Sequence, residues 1–108
     1  MKPTLRFKQR YILFGLVGRE RDALDEGEIR DFIFSHFISF FGEEGFASLA
    51  FKLISYDAKK KRGVIRCERS RTMQCIGALA LISSMNGKEA RLESLRASGT
   101  IRALLKTN

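Results

Sequence analysis

The sequence predicts an α+β domain with a four-stranded antiparallel sheet and two helices packed on one face of it. The prediction rests on two segments with helical spacing of apolar residues, four short strand-like segments, and their order β-α-β-β-α-β. Two interleaved β-α-β units of this kind close into one sheet with both helices on the same side. The 108 residues fit a single domain, residues 1–108, and leave no room for a second.

The first half of the chain predicts one strand and one long helix. Residues 1–10 are polar and basic, and we expect a mobile arm there. Residues 11–17 are almost continuously apolar, which predicts a central strand buried on both faces. Asp25 and Glu28 stand at the spacing of a capping box, and the helix that follows is expected to stop at Gly42. Its expected core stripe is Ile29, Phe32, Ile33, His36, Phe37, Phe40 and Phe41.

The second half predicts three strands and two helices. Strands are expected at residues 47–56, 64–69 and 89–97, and the first two form a hairpin around a basic turn. A helix begins at Ser70 or Thr72 and extends to about Met85, before the Asn86-Gly87 turn signal. Residues 101–105 predict a short amphipathic helix. The resulting fold is ferredoxin-like (RRM-like), and it serves RNA-recognition domains, small-molecule sensors and metal chaperones alike, so it does not decide the function.

The net charge is the strongest functional signal in the sequence. Twenty Lys and Arg against twelve Asp and Glu leave a formal charge of +8. Such an excess repels itself in the folded state and favours a polyanionic partner, nucleic acid before an acidic membrane. No segment has the roughly 18 apolar residues that cross a bilayer, and residues 1–10 lack the apolar run of a signal peptide. We therefore expect a cytoplasmic protein whose two cysteines stay reduced.

The basic residues are concentrated in three segments. Because the first and third strands are antiparallel neighbours in this fold, the arm and the exit of the third strand should meet at one end of the sheet. A concentrated patch can bind several phosphates and release their counterions. The candidate RNA-binding residues are Lys8 and Arg10 of the arm, Lys59, Lys60, Lys61 and Arg62 of the hairpin turn, and Arg66, Arg69 and Arg71 of the third strand and its exit.

The aromatic residues indicate how RNA would be bound. An RNA-recognition domain usually stacks bases on aromatic residues of its two central strands. The first strand offers Tyr11 and Phe14, but the third strand offers none, and the RNP signature is absent. We therefore expect contacts to the backbone and shape of a structured RNA.

No catalytic or metal centre is expected. The single histidine, His36, lies on the core stripe, which favours a structural role over that of a general base. Cys67 and Cys75 lack the close pairing and the further ligands of a zinc site, and we expect both to be small core residues. No glycine-rich phosphate loop is present either, so we expect no cofactor on this chain.

The chain resembles the archaeal ribonuclease P protein component 2 family, a small subunit shared with eukaryotic ribonuclease P and MRP. The likeness is carried by the basic lead into residues 10–14, the strand at residues 63–67 with Arg66 in its middle, the small-residue helix at residues 76–82, and residues 98–101 before a short helix. It spans nearly the whole chain in order and length.

This resemblance implies a protein that does not cleave RNA alone. Such proteins join a catalytic RNA, which holds the cleaving Mg²⁺ ions, to remove the 5′ leader of precursor tRNA. They pair with component 3, a TIM-barrel-like subunit, and assemble as a homodimer at the centre of a heterotetramer. Candidate residues for a protein interface are Phe34, Ile38, Ile101, Leu104 and Leu105. The alternatives are a general structured-RNA-binding protein of ribosomal type and a small-molecule-sensing domain.

Overall fold

The computed structural model describes residues 8–18, 24–82, 84–85 and 88–105, so most of the expected arm lies outside the described residues. Its elements are β1 (Gln9–Gly18), α1 (Glu26–Ser48), β2 (Lys52–Asp57), β3 (Arg62–Glu68), a 3₁₀ turn (Arg69–Arg71), α2 (Thr72–Ala80), β4 (Ser84–Met85), β5 (Lys88–Ser98) and α3 (Ile101–Leu105).

The sheet has the strand order β2-β3-β1-β5-β4, and its neighbouring strands pair antiparallel. Its four long strands confirm the predicted ferredoxin-like arrangement, with β1 and β3 adjacent. The fifth strand, β4, is a two-residue addition in which Met85 pairs with Lys88. The predicted helix to Met85 was therefore too long. It ends at Ala80 because the amides of Leu81 and Ile82 bond to carbonyls only three residues back, in a tight last turn.

One face of the sheet, called here the helix face, packs against α1 and α2. On β1 it presents Ile12, Phe14 and Leu16, all buried. They join one core with buried residues of the neighbouring strand and of the two helices, including Ile65, Ile29, Ile33, Phe37, Cys75 and Leu79. Burial of this apolar surface is the main favourable term in folding.

The opposite face, called here the open face, is only partly covered. Tyr11 and Leu13 are half-buried on it, and Val17 is exposed, so the expectation that β1 is buried on both faces was wrong. The helix α3 lies over part of this face, where Leu104 shares a groove with Leu13 and Val64. Five residues of helix are too short to cover four strands, and among the described residues Val17, Lys52 and Arg62 are exposed on the open face.

The helix α1 begins as predicted and ends later than predicted. Asp25 Oδ1 accepts from the Glu28 amide at 2.8 Å, and the Asp25 amide donates to Glu28 Oε1 at 3.0 Å, which confirms the capping box. Gly42 interrupts the helix with φ 78°, but one further helical stretch follows it. Residues 47 and 48 are therefore helical, and β2 begins only at Lys52. Phe46 stabilises the extra turn. Its ring packs edge-on against the ring of Phe34, with 4.7 Å between the ring centroids.

Candidate nucleic-acid interface

The start of β1 and the end of β3 bring five predicted RNA-binding residues together, as expected from the topology. Arg10 pairs with Cys67 and Tyr11 with Arg66, and the Arg69 amide donates to the Lys8 carbonyl at 2.7 Å. The 3₁₀ turn then carries Arg71 past the strand end. We call this group the strand-end patch; it consists of Lys8, Arg10, Arg66, Arg69 and Arg71.

Glu68, the acid next to Arg69 in the chain, forms no ion pair with the strand-end patch among the described residues. The Glu68 carboxylate accepts hydrogen bonds from the Ser70 amide, at 2.9 Å, and from the Ser70 hydroxyl, and so caps the 3₁₀ turn. Within the described part of the chain, the side chains of the patch form no ion pair. One of them is also short of hydrogen bonds, since Arg66 Nε is buried without an acceptor. The patch therefore places positive charge around the ends of β1 and β3, with Arg66 on the open face and Arg10 on the helix face, because side chains alternate along a strand.

The four remaining candidates form a second group at the other end of β3. The hairpin patch, Lys59, Lys60, Lys61 and Arg62, surrounds the turn from β2 to β3. Asp57 shapes this turn, since its Oδ1 accepts from the Lys59 and Lys60 amides at 2.9 and 3.3 Å. Arg62 and Arg66 are four positions apart, or about 13 Å along the strand. The predicted RNA-binding residues thus lie in two patches at opposite ends of one strand.

The histidine and the cysteines have the structural roles expected of them. His36 is half-buried, and its Nε2 lies 2.9 Å from the Ala78 carbonyl oxygen, which ties α1 to α2. Cys67 and Cys75 are fully buried in the core. Hydrogen bonding to Cys67 and burial together raise the pKa of the Cys75 thiol above its ordinary value. Among the described residues, no three His, Cys, Asp or Glu side chains are grouped as metal ligands.

The apolar residues proposed for a protein interface are not equally available. Phe34 and Ile38 are 39% and 36% exposed on α1, and Leu105 is exposed on α3. Ile101 is half-buried. Leu104 is buried against the chain's own sheet, so its assignment to a partner interface does not fit the structure.

Three apolar side chains that are more than half exposed were missed: Phe40, Met73 and Leu81. Phe40 had been placed on the core stripe of α1, but it lies in the last turn before the Gly42 kink and is 52% exposed. Met73 and Leu81 lie at the two ends of α2, and helical spacing alone gave no sign that they would be exposed.

In the described segments no helix is long and apolar enough to cross a membrane.

Comparison with known proteins identifies the relatives of this chain. The sequence profile of the Rpp14/Pop5 family matches residues 10–107. The chain is 36% identical over 104 residues to ribonuclease P protein component 2 of Pyrococcus furiosus, covering 96% of this chain and 85% of that protein. It is 33% identical over 100 residues to the protein of the same name from Methanosarcina acetivorans, covering 93% and 73%.

The fold also has a solved counterpart. A chain in the cryo-EM structure of yeast ribonuclease MRP superposes with a TM-score of 0.75 at 15% identity, covering 98% of this chain and 85% of that one. At this identity the likeness concerns the fold alone, and it agrees with the ferredoxin-like strand order. Since the family profile spans nearly the whole chain, this protein belongs to the Rpp14/Pop5 family.

Proposed function

We propose that this protein is a subunit of ribonuclease P, the ribonucleoprotein that removes the 5′ leader of precursor tRNA. In this proposal the catalytic RNA holds the Mg²⁺ ions, and the protein binds that RNA and supports its active form. The observation that carries the proposal is the strand-end patch, five cations from the residue before β1, from two strands and from a turn, with no ion pair among the described residues. Membership of the Rpp14/Pop5 family gives this RNA-binding surface its context.

The partners proposed here are those that the family resemblance implies, and the relatives named ribonuclease P protein component 2 support membership of such a complex. The protein pairs with component 3, a TIM-barrel-like subunit, and two such pairs assemble around a homodimer of this chain. Phe34 and Ile38 are the exposed apolar residues of α1 that we assign to one of these protein contacts. The assembly works in the cytoplasm, where the thiols of Cys67 and Cys75 stay reduced.

Reconstitution tests the proposal directly. The chain, component 3 and the ribonuclease P RNA of the same organism are combined with Mg²⁺ and a precursor tRNA, and release of the 5′ leader is followed on a gel. We expect no cleavage by the chain alone and faster cleavage when it is added to the RNA and component 3. Cleavage by the purified chain unaided, or no stimulation in the complete mixture, would refute the subunit assignment.

Charge reversal tests whether the strand-end patch is the RNA-binding surface. Arg69→Glu and Arg71→Glu are expected to fold, because both residues are exposed and a carboxylate near the start of α2 suits the helix dipole. Each variant should weaken binding to the ribonuclease P RNA and reduce the slope of log K against log salt by about 0.9 for each phosphate that the variant no longer binds. Arg30→Glu makes the same charge change on α1, where Arg30 pairs with Glu26 at 3.6 Å, and should leave the slope unchanged.

Recovery of RNA from native extract separates this proposal from a general ribosomal-type RNA-binding protein. A tagged chain should recover the ribonuclease P RNA together with component 3. Recovery of ribosomal RNA alone would favour the alternative.

A further inference from the structure

The open face of the sheet joins the two basic patches. Cross-strand register places Lys52, Arg66, Tyr11 and Ser98 in one row across the four long strands on this face. Arg62 lies on the same face of β3, four residues from Arg66 and beside Gly15 of β1. Since side chains alternate between the faces of a strand, Arg62 and Arg66 both point to the open face, about 13 Å apart. Arg62 and Arg66 therefore mark a line along β3, and Lys52 of β2 lies beside Arg66.

The three cations Lys52, Arg62 and Arg66 have no partner among the residues that the structure describes. Within the described residues, the side chains of Lys52, Arg62 and Arg66 form no ion pair or hydrogen bond. Asp57 is in register with Arg62 but uses its carboxylate on the turn amides. Arg66 Nε is buried without an acceptor, and an oxygen of an incoming anion would provide one if the guanidinium turned outward.

Next to these cations, a groove and the helix α3 reduce the width of the open face that is accessible. Between the hairpin turn and α3 lies a groove of about 670 Å³, with Leu13, Val64, Leu95 and Leu104 among its apolar lining and Lys60 and Arg62 among its cations. Beyond it, Glu93 is in register with Gly15 and forms an ion pair with Arg91 at 3.9 Å. Arg91 and Glu93 thus offset each other's charge there, and α3 occupies the space between. Arg96 of β5 also lines the groove, and Val64 lies in it between Arg62 and Arg66. The cations of this face that form no ion pair or hydrogen bond among the described residues are therefore those on β2 and β3.

We infer that a single RNA strand crosses the open face along β3, its phosphates on Arg62, Arg66 and Lys52 and its ribose or base edges over the apolar groove. The inference rests on the proposed function, since it assumes that the chain binds RNA. It adds the surface on which the RNA binds and the single-stranded form of the bound segment. The track connects the hairpin patch to the strand-end patch as one binding surface. Because β3 carries no aromatic residue, the strand is held through its backbone, and the sequence of its bases has little effect.

The test uses the full chain and a fluorescent oligouridylate of 12 nucleotides, with binding followed by anisotropy at several salt concentrations. Lys52→Ala and Arg62→Ala each remove one exposed cation with no partner in the described residues, so both variants should keep the native circular dichroism spectrum. Each is expected to weaken binding three- to tenfold and to lower the salt slope by about 0.7, the value for one contact to a single strand. Arg30→Ala, which removes one charge from α1, should bind within twofold of the unaltered protein.

The outcomes separate this inference from the proposed function. If Lys52→Ala and Arg62→Ala bind normally while Arg69→Glu and Arg71→Glu bind weakly, the track is refuted and the strand-end patch stands. If the 12-nucleotide strand does not bind, or an RNA duplex of equal length binds as tightly, the single-strand track is also refuted. If the track variants alone lose affinity, the track stands and the strand-end patch is not the principal surface.

Discussion

Replacing Gly63 with alanine should destabilise the protein strongly, because the added methyl group has no space. Gly63 lies at the start of β3, next to Arg62 of the hairpin patch, and is buried. A Cβ at this position would come within 2.7 Å of Phe14 Cζ and 2.7 Å of the Ser55 carbonyl oxygen. Neither group can move easily. Phe14 is fully buried and stacked on Tyr56, and the Ser55 oxygen belongs to the backbone of the paired strand.

The size of the expected loss in unfolding free energy follows from overpacking in a rigid core. Inserting a methyl group into a filled site costs about 1–3 kcal/mol, and contact with backbone places Gly63→Ala in the upper part of that range. In a chain of 108 residues, 1 kcal/mol corresponds to roughly 4 °C in Tm. We therefore expect Tm to fall by roughly 10 °C in thermal unfolding followed by circular dichroism, with a matching decrease in the urea midpoint.

Gly77→Ala is the matched control. Gly77 is exposed within α2, and a Cβ there would have nothing within 4 Å. Alanine loses less backbone entropy than glycine in a helix, so this variant should gain about 0.5–1 kcal/mol and a few degrees of Tm. A Gly63→Ala protein as stable as the unaltered one would refute the packing argument. A loss of stability in both variants would show that the effect is not specific to the site.

Two further predictions concern titratable groups in the core. Cys67 and Cys75 are fully buried, so neither thiol should react with Ellman's reagent in the native protein, and both should react in guanidinium; rapid native reaction would contradict their placement. Burial and the neighbouring Asp57 carboxylate raise the pKa of Tyr56 above its unfolded value of 10.0, so the stability that Tyr56 contributes is complete below pH 10 and is lost as the pH rises beyond it. The urea midpoint should therefore fall more steeply above pH 10 in the unaltered protein than in Tyr56→Phe, and parallel curves would count against this reasoning.

The sequence by itself determined the features that depend on neighbouring residues. The capping box at Asp25 needs only a side chain and an amide three residues away, and the structure has both hydrogen bonds. Apolar patterns likewise predicted the order of elements along the chain. The spatial order of the four long strands followed from that order and the ferredoxin-like fold. From that order, the meeting of Lys8 and Arg10 with the end of β3 followed without coordinates.

Only the tertiary structure decided the features that depend on distant partners. The turn after Gly42 stays helical because Phe46 packs on Phe34, a contact that local propensity does not contain. Leu104 was assigned to a partner because its spacing shows an apolar face but not what covers it, and in the structure the chain's own sheet does. The alignment of Lys52 with Arg66 requires the register of β2 against β3, which is set by the turn and the core. The charge of the chain indicated a polyanionic partner, but the line along which its phosphates would lie came from that register.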